Sequence, residues 1–415
     1  MIQCIEALNY RCLRDIRRTI SRFQIFVGPN ASGKSTFLDV VRFLAQLVSE
    51  GLEESIRHRT ENLQDLVWRR EGAQFQLAIE MEIPEERRKL LQSPAYERCR
   101  YEVAVGIDQS TGEYGIFSER LILMSRPKED RIQKMLFPQV STPRETILTR
   151  VPAKGLKTVV NKVPQGNDNF YDETGKGWDH AFKLGPRKSA LGNLPEDESK
   201  FPVATWFKAV LSEGIEAITL NSIAMRRPSP PGQPKGFRPD GSNLPWVIEN
   251  LRERNSSAFR QWVAHVQTAL PDLRAIETVE RQEDKHRYLQ VIYEMGTKVP
   301  SWMVSDGTLR LLALTLLAYA GERGKVYLIE EPENGIHPQA VETVFQSLSS
   351  AYESQILCAS HSPVILSLAQ PQDILCFART AEGATDIVRG DEHPKLRHWR
   401  QGADLGTLFA TGVLG

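Results

Sequence analysis

Residues 28–36 read GPNASGKST, and Gly28, Gly33, Lys34 and Ser35 satisfy the pattern G-x-x-x-x-G-K-[ST]. Those residue types at that spacing suit one task, holding a polyphosphate. Glycines let successive backbone N–H groups turn towards phosphate oxygens, an ammonium reaches the outer phosphates, and a hydroxyl is the hard oxygen ligand that Mg2+ takes. Pro29, Asn30, Ala31, Ser32 and Thr36 complete the loop and are expected to line the nucleotide. A plain glycine turn between strand and helix is the simpler alternative, and the flanks argue against it. Phe23 to Val27 is a run of strand formers, and Leu38, Val41, Ala45 and Val48 share one face of a following helix.

Three more segments carry groups with chemistry. In VYLIEEPENGIHP, residues 326–338, two carboxylates follow an apolar strand. In a phosphate-transferring site Glu330 would help hold Mg2+ and Glu331 would orient or deprotonate the attacking water. Read alone, such a pair is as readily a solvated loop. In CASHSP, residues 358–363, His361 ends the next strand, where a lone histidine is more often a polar loop residue than a γ-phosphate contact. In VSDGTLRLLAL, residues 304–314, Ser305, Asp306 and Gly307 begin an apolar helix whose N-terminus offers a second phosphate site; the plainer reading is an N-cap and a turn glycine. The order of the four motifs lifts each above its plainer reading.

The elements that must position these groups belong to a chain of 415 residues, 41% hydrophobic and 25% charged, long enough for a large α/β domain with insertions. Lys plus Arg and Asp plus Glu balance at 52 each, so any nucleic-acid surface must be local, as around Arg226, Arg227, Lys235 and Arg238 in a Pro- and Gly-rich loop; a solvated loop is the alternative there. Cysteines at 4, 12, 99, 358 and 376 show no C-x-x-C or zinc spacing, which fits a reduced, cytoplasmic setting. Met1 to Tyr10 does not read as a secretion signal, and Leu311 to Ala320 is too short to span a bilayer, so no membrane partner is expected.

Residues 1–125 are expected to form an N-terminal lobe with the phosphate loop and an antiparallel β subdomain, with strands over Phe75–Ile83 and Tyr101–Ile107 and a turn at QSTGEYG. Residues 126–240 read as an insertion, irregular to about Lys200 and then helical. Residues 241–415 read as a C-terminal lobe: a helix over Leu309–Ala320, a strand at Lys325–Ile329, a helix from Pro338 with Val341, Val344, Phe345, Leu348 and Tyr352 on one face, then strands at Ser354–Ser360, Asp373–Ala378 and Asp386–Arg389. Alternating strands and helices imply a parallel sheet. No sustained heptads and no internal repeat are present.

Together GPNASGKS, VSDGTLR, LIEEPE and SHSP, with NYRCLRDI ahead of the loop strand, resemble the ABC-type ATPases. The likeness is to the soluble RecF-like and SMC-like branch often labelled AAA family ATPases, which includes the ATPase part of overcoming-lysogeny proteins. The resemblance covers roughly 1–125 and 240–380. It implies an α/β ABC-type P-loop ATPase head with a mixed or parallel sheet, an antiparallel β subdomain and a helical, irregular insertion, using ATP and Mg2+. It assigns Gly28 to Thr36 to the Walker A motif, Ser35 and Glu330 to the metal, Glu331 to the catalytic base and His361 to the switch histidine. Ser305, Asp306 and Gly307 match the signature that contacts the γ-phosphate held by the opposite subunit, and Glu333 and Asn334 fall where the D-loop crosses the dimer interface. The implied assembly is a homodimer sandwiching two ATP molecules, with a higher oligomer left open. Its implied work is an ATP-driven switch in anti-phage defence or DNA repair that controls a separately encoded nuclease or toxin, with DNA as a further partner left open. The alternative is an ATP-stabilised scaffold or DNA-binding sensor with negligible turnover. Glu330 stands where transporter ATPases usually have Asp, and Asp306 replaces a glycine of the transporter signature. Ser35 and Ser305 also lie far further apart than in a transporter subunit, which argues against membrane transport. Gln64, Gln74 and Gln76 are each near the first strands, and none is singled out as the lid glutamine.

Overall fold

The computed structural model describes residues 1–125, 137–175, 177 and 179–394. The start of the expected insertion, 126–136, and the end of the expected C-terminal lobe, 395–415, lie outside the described residues. The chain forms two compact units. Of the described residues, one contains Met1–Ser21, Gly28–Ile215 and 375–394; the other contains Arg22–Val27 and Glu216–Ile374.

In chain order, β1 (Ile2–Tyr10), β2 (Leu13–Thr19) and β3 (Phe23–Val27) lead to α1 (Lys34–Ser49) and α2 (Leu52–Arg57). Next come β4 (Gln74–Glu82), α3 (Glu85–Arg88), β5 (Arg98–Ile107), β6 (Tyr114–Met124), β7 (Leu156–Lys162), β8 (Asp168–Phe170), β9 (His180–Phe182), α4 (Pro202–Glu213) and β10 (Ile215–Ile218). Then follow α5 (Ser222–Arg226), α6 (Leu244–Arg254), α7 (Ser256–Ala269), β11 (Leu273–Glu280), β12 (Arg287–Tyr293) and β13 (Lys298–Pro300). The last part holds α8 (Asp306–Ala320), β14 (Val326–Glu330), α9 (Pro338–Ser349), β15 (Gln355–Ala359), α10 (Pro363–Leu368), β16 (Ile374–Arg379) and β17 (Thr385–Arg389).

In the first unit eight strands form one antiparallel sheet in the order β2-β1-β4-β5-β6-β7-β8-β9. β4 and β5 are buried along almost their whole length, so both faces of the sheet centre are covered. On the α1 side the cover is apolar: Phe43 meets Tyr10 and Phe75 at ring-centroid distances of 6.0 and 5.5 Å. Elsewhere burial is achieved with charge. Arg100 bonds Glu6 (2.5 Å), Glu80 (2.9 Å) and Glu102 (2.9 Å), all of them buried.

The stretch 126–200, which reads as irregular, holds β7, β8 and β9 within its described part. Their buried positions mix apolar Val159, Val160 and Phe170 with one buried ion pair, Lys162–Asp168 at 2.7 Å, and β8 and β9 are three residues each. Strands this short, with a charge pair among their buried residues, leave little hydrophobic period to read.

In the second unit the sheet order is β10-β14-β15-β3. β14, β15 and β3 run parallel, with Glu330 opposite Ala359 and Ala359 opposite Phe26. α8 is buried almost all round, and Trp262 on α7 donates Nε1–H to Thr315 Oγ1 at 3.0 Å. α9 buries Val341, Val344 and Leu348 as its period requires, but Tyr352 lies beyond the helix end, 71% exposed beneath the Arg22 guanidinium. β16 and β17, which from Leu375 on belong to the first unit, form an antiparallel hairpin.

Candidate nucleotide site

The loop that leaves β3 is shaped by the absence of side chains. Gly28 has φ 151° and Gly33 φ 102°, with Ala31 also left-handed at φ 60°. A Cβ on Gly28 would overlap the Phe377 carbonyl oxygen; one on Gly33 would overlap the Thr385 hydroxyl and stand 3.1 Å from Cys12 Sγ. The same Thr385 donates its Oγ1 hydrogen to the Ser32 carbonyl (2.9 Å), and its N–H to the Cys12 carbonyl (2.9 Å), which pins the loop against the β1–β2 turn.

Lys34 is buried and its ammonium donates to the carbonyls of Gly28 and Pro29, both at 2.8 Å. α1 then begins with no side-chain cap and no acidic residue in its first turn. The first N–H groups of a helix and its dipole favour an anion at that position. A cradle that any Cβ would fill, an ammonium folded into it and an uncapped helix start fit a polyphosphate. The hydroxyl of Ser35 and the carboxylate of Glu330 are oxygen donors of the type that fits Mg2+.

Asp39, about one turn further along α1, carries no motif, and sequence reading passes over it. It accepts from Tyr10 OH (2.6 Å), from Arg59 Nη2 (2.6 Å) and from Arg11 Nη1 (3.3 Å). Burial opposes its ionisation, yet hydrogen bonds and charge from Arg59, with the Tyr10 bond, hold the carboxyl below its usual range. Asp39 thus ties the P-loop helix to the β1–β2 turn and to Arg59. Its partners lie 20 to 29 residues away, which no local pattern announces.

In the second unit three parallel strands end side by side, as ligand sites in α/β sheets require. β14 ends in Glu330, β15 leads to Ser360 and His361, and β3 ends at Val27; Ser360 N–H donates to the Phe26 carbonyl at 3.1 Å. Glu330 and Glu331 are exposed. Glu331 is held at φ 47° by its N–H on the Ala359 carbonyl (2.8 Å) and its carbonyl accepting from Asn334 N–H (2.9 Å). A non-glycine residue there costs about 1–2 kcal/mol, and such strain gathers at functional positions. Glu333 reaches back to this strand end: its Oε1 accepts from Ser360 Oγ (2.8 Å) and from His361 N–H (2.9 Å).

Ser305 caps α8, accepting from Thr308 N–H at 3.2 Å. Asp306 pairs with Arg226 at 2.6 Å, and the same guanidinium donates to the Val304 carbonyl at 3.1 Å. Arg226, a candidate DNA contact by sequence, is therefore engaged with the start of α8. Gly307 is needed for packing, because a Cβ there would stand 2.7 Å from the Gly335 carbonyl oxygen. The structure thus brings Ser305 to Gly307 against the turn that follows Glu331, and Glu330, Glu331 and His361 to neighbouring strand ends. Among the described residues no helix is long and apolar enough to cross a membrane.

The fold is an α/β head of the kind seen in SMC head domains. The family described as "AAA domain, putative AbiEii toxin, Type IV TA system" matches residues 23–367, and the chain belongs to that family. No curated protein matches the chain in sequence. Among solved structures, the fold is similar to a crystal structure of the SmcHead bound to the C-winged helix domain of ScpA. The TM-score there is 0.53 at 14% identity, over 93% of this chain and 96% of that one. It is likewise similar to an Smc head domain with an extended coiled coil bound to the C-terminal domain of ScpA, derived from Pyrococcus furiosus. That match has a TM-score of 0.52 at 12% identity, over 93% of this chain and 95% of that one.

Proposed function

We propose that the protein is a cytoplasmic, Mg2+-dependent ATPase that dimerises around two ATP molecules and passes that change of state to a separately encoded nuclease or toxin in phage defence or DNA repair. The observation that carries this reading is the parallel pair of strand ends at which β14 delivers Glu330 and the strained Glu331 and β15 leads to His361. Family membership over most of the chain supports it.

In this reading Gly28 to Thr36 wrap the phosphates, with Lys34 leaving the Gly28 and Pro29 carbonyls for phosphate oxygens. Ser35 and Glu330 hold Mg2+, which when bound neutralises phosphate charge and fixes its geometry. Glu331 orients and deprotonates the attacking water, and His361 contacts the γ-phosphate side. Ser305, Asp306 and Gly307 serve the nucleotide of the other subunit, so a second copy completes each site.

Glu331→Gln tests the assignment. The loss of a general base lowers turnover by roughly 10²–10⁴-fold, and the variant is expected to persist as an ATP-bound dimer by light scattering. Unchanged phosphate release would remove Glu331 from the reaction, and a monomer at saturating ATP would remove the shared site.

A further inference from the structure

Glu333 has no place in the chemistry above; the family resemblance sends it outward, to a crossing between subunits. Its side chain points elsewhere. Oε1 accepts two hydrogen bonds from the turn after β15, from Ser360 Oγ at 2.8 Å and His361 N–H at 2.9 Å. Because the Ser360 hydroxyl donates to Glu333, its oxygen is left to accept, and it takes the Ser362 N–H at 3.0 Å. Ser362 in turn caps α10 by accepting from Ile365 N–H. One carboxylate oxygen therefore holds the turn on which His361 sits, alongside the bond from Ser360 N–H to the Phe26 carbonyl at 3.1 Å. It does so from the loop that carries Glu331, since the Glu333 carbonyl accepts from Ile336 N–H and the Glu331 carbonyl from Asn334 N–H in successive turns.

The second oxygen, Oε2, is buried and has no hydrogen-bond partner among the described residues. A carboxylate stripped of water on one side is an expensive way to hold a turn that an amide could hold. The Glu331 loop and the His361 turn are thus coupled through an acidic side chain of the same chain, beside the backbone bond from Glu331 N–H to the Ala359 carbonyl.

We infer that Glu333 is a positioning residue of the ATPase site, acting in its own subunit by fixing the His361 backbone to the loop that carries Glu331. The inference deepens the ATPase reading and rests on it for turnover alone; the geometry of the His361 turn is testable without nucleotide. Glu333→Ala removes the shared acceptor, whereas Glu333→Gln keeps one oxygen in the same place. The chain contains eight histidines, so labelling histidine with 15N leaves few enough amides to follow individually. His265, inside α7, serves as the internal reference for global loosening.

In nucleotide-free protein, Glu333→Ala is expected to speed hydrogen exchange at the His361 amide at least tenfold relative to His265, and Glu333→Gln to recover at least threefold of that. In steady-state phosphate release, Glu333→Ala is expected to lower kcat at least tenfold with KM for ATP within threefold, and Glu333→Gln to restore part of kcat. Smaller exchange differences, or His361 and His265 moving together, overturn the coupling. A kcat unaffected by Glu333→Ala, in protein whose wild type turns over, overturns its bearing on the reaction. If the wild type releases no phosphate, the ATPase reading fails and the exchange result alone decides the coupling.

Discussion

Helices α1 and α4 both begin within the first unit, and the two starts are completed from different sources. α4 opens on Pro202, and its free N–H groups are met by a side chain of the same protein: Glu173 accepts from Val203 N–H at 2.6 Å and from Ala204 N–H at 2.8 Å. Glu173 is buried, an internal carboxyl seated at a helix N-terminus. α1 has no such side chain. It follows two glycines in left-handed backbone, carries no cap and no acid in its first turn, and keeps a lysine folded over its own loop carbonyls. The same helix field is therefore satisfied in one place by the chain and in the other is arranged for an anion from outside.

The harshest way to break that contrast is to put a side chain into the cradle. Gly28→Ala demands φ 151° of an alanine and drives its Cβ into the backbone carbonyl of Phe377, which cannot turn aside as a flexible side chain would. Strain and overlap together are expected to cost about 3 kcal/mol or more, read as a lowered midpoint in urea, with ATP binding lost in the protein that remains folded. Binding and stability both near wild type would show that the loop has another conformation, and that the glycine geometry is incidental.

That determinant was legible in the sequence because everything it needs is local: strand formers, two glycines, a lysine and a helix face within about thirty residues. The same holds for β14, α9 and β15, whose periods are strong. What stayed hidden depends on pairing at a distance. Asp39 gains its meaning from Tyr10, Arg11 and Arg59, and Glu333 from Ser360 and His361, 27 and 28 residues further on. β7 to β9 escaped because β8 and β9 are three residues each and the buried Lys162–Asp168 pair interrupts the apolar pattern. Arg226 looked like a surface cation because its partner Asp306 is remote in sequence.

The α4 start sharpens the comparison through pH. Burial, the largest influence, pushes the Glu173 carboxyl up from 4.5 to about 7, against the two backbone hydrogen bonds that favour its charged form. A folded-state pKa above the unfolded one means that the folded protein holds the extra proton between those values. The stability contributed by the neutral form is complete below about pH 4.5 and is lost as pH rises through about 7. Glu173→Gln fixes the neutral form, so it is expected to gain on the wild type in urea midpoints measured from pH 5 to pH 8. Glu173→Ala, which leaves two buried N–H groups without an acceptor, is expected to cost about 1–2 kcal/mol. A Gln-to-wild-type difference that stays flat across the range would place the Glu173 pKa at its ordinary value.

A third helix start separates a cap from a ligand, with the smallest expected effect on the fold. α8 is already satisfied within its own chain, since Ser305 Oγ accepts from Thr308 N–H and Asp306 is paired with Arg226. If Ser305 also serves a phosphate held by a second copy, it must exchange that cap for the new partner, and two substitutions can tell the roles apart. Ser305→Ala removes the cap and is expected to cost about 1 kcal/mol. Ser305→Asp keeps an N-cap acceptor, so its stability should stay within about 0.5 kcal/mol of wild type, yet it places a negative charge where the phosphate is to come. ATP-dependent dimerisation is then expected to fail in Ser305→Asp while ATP binding by the monomer persists, because the P-loop is untouched. If Ser305→Asp dimerises like wild type and Ser305→Ala loses only stability, Ser305 is a cap alone, and α1 is left as the helix start built for phosphate.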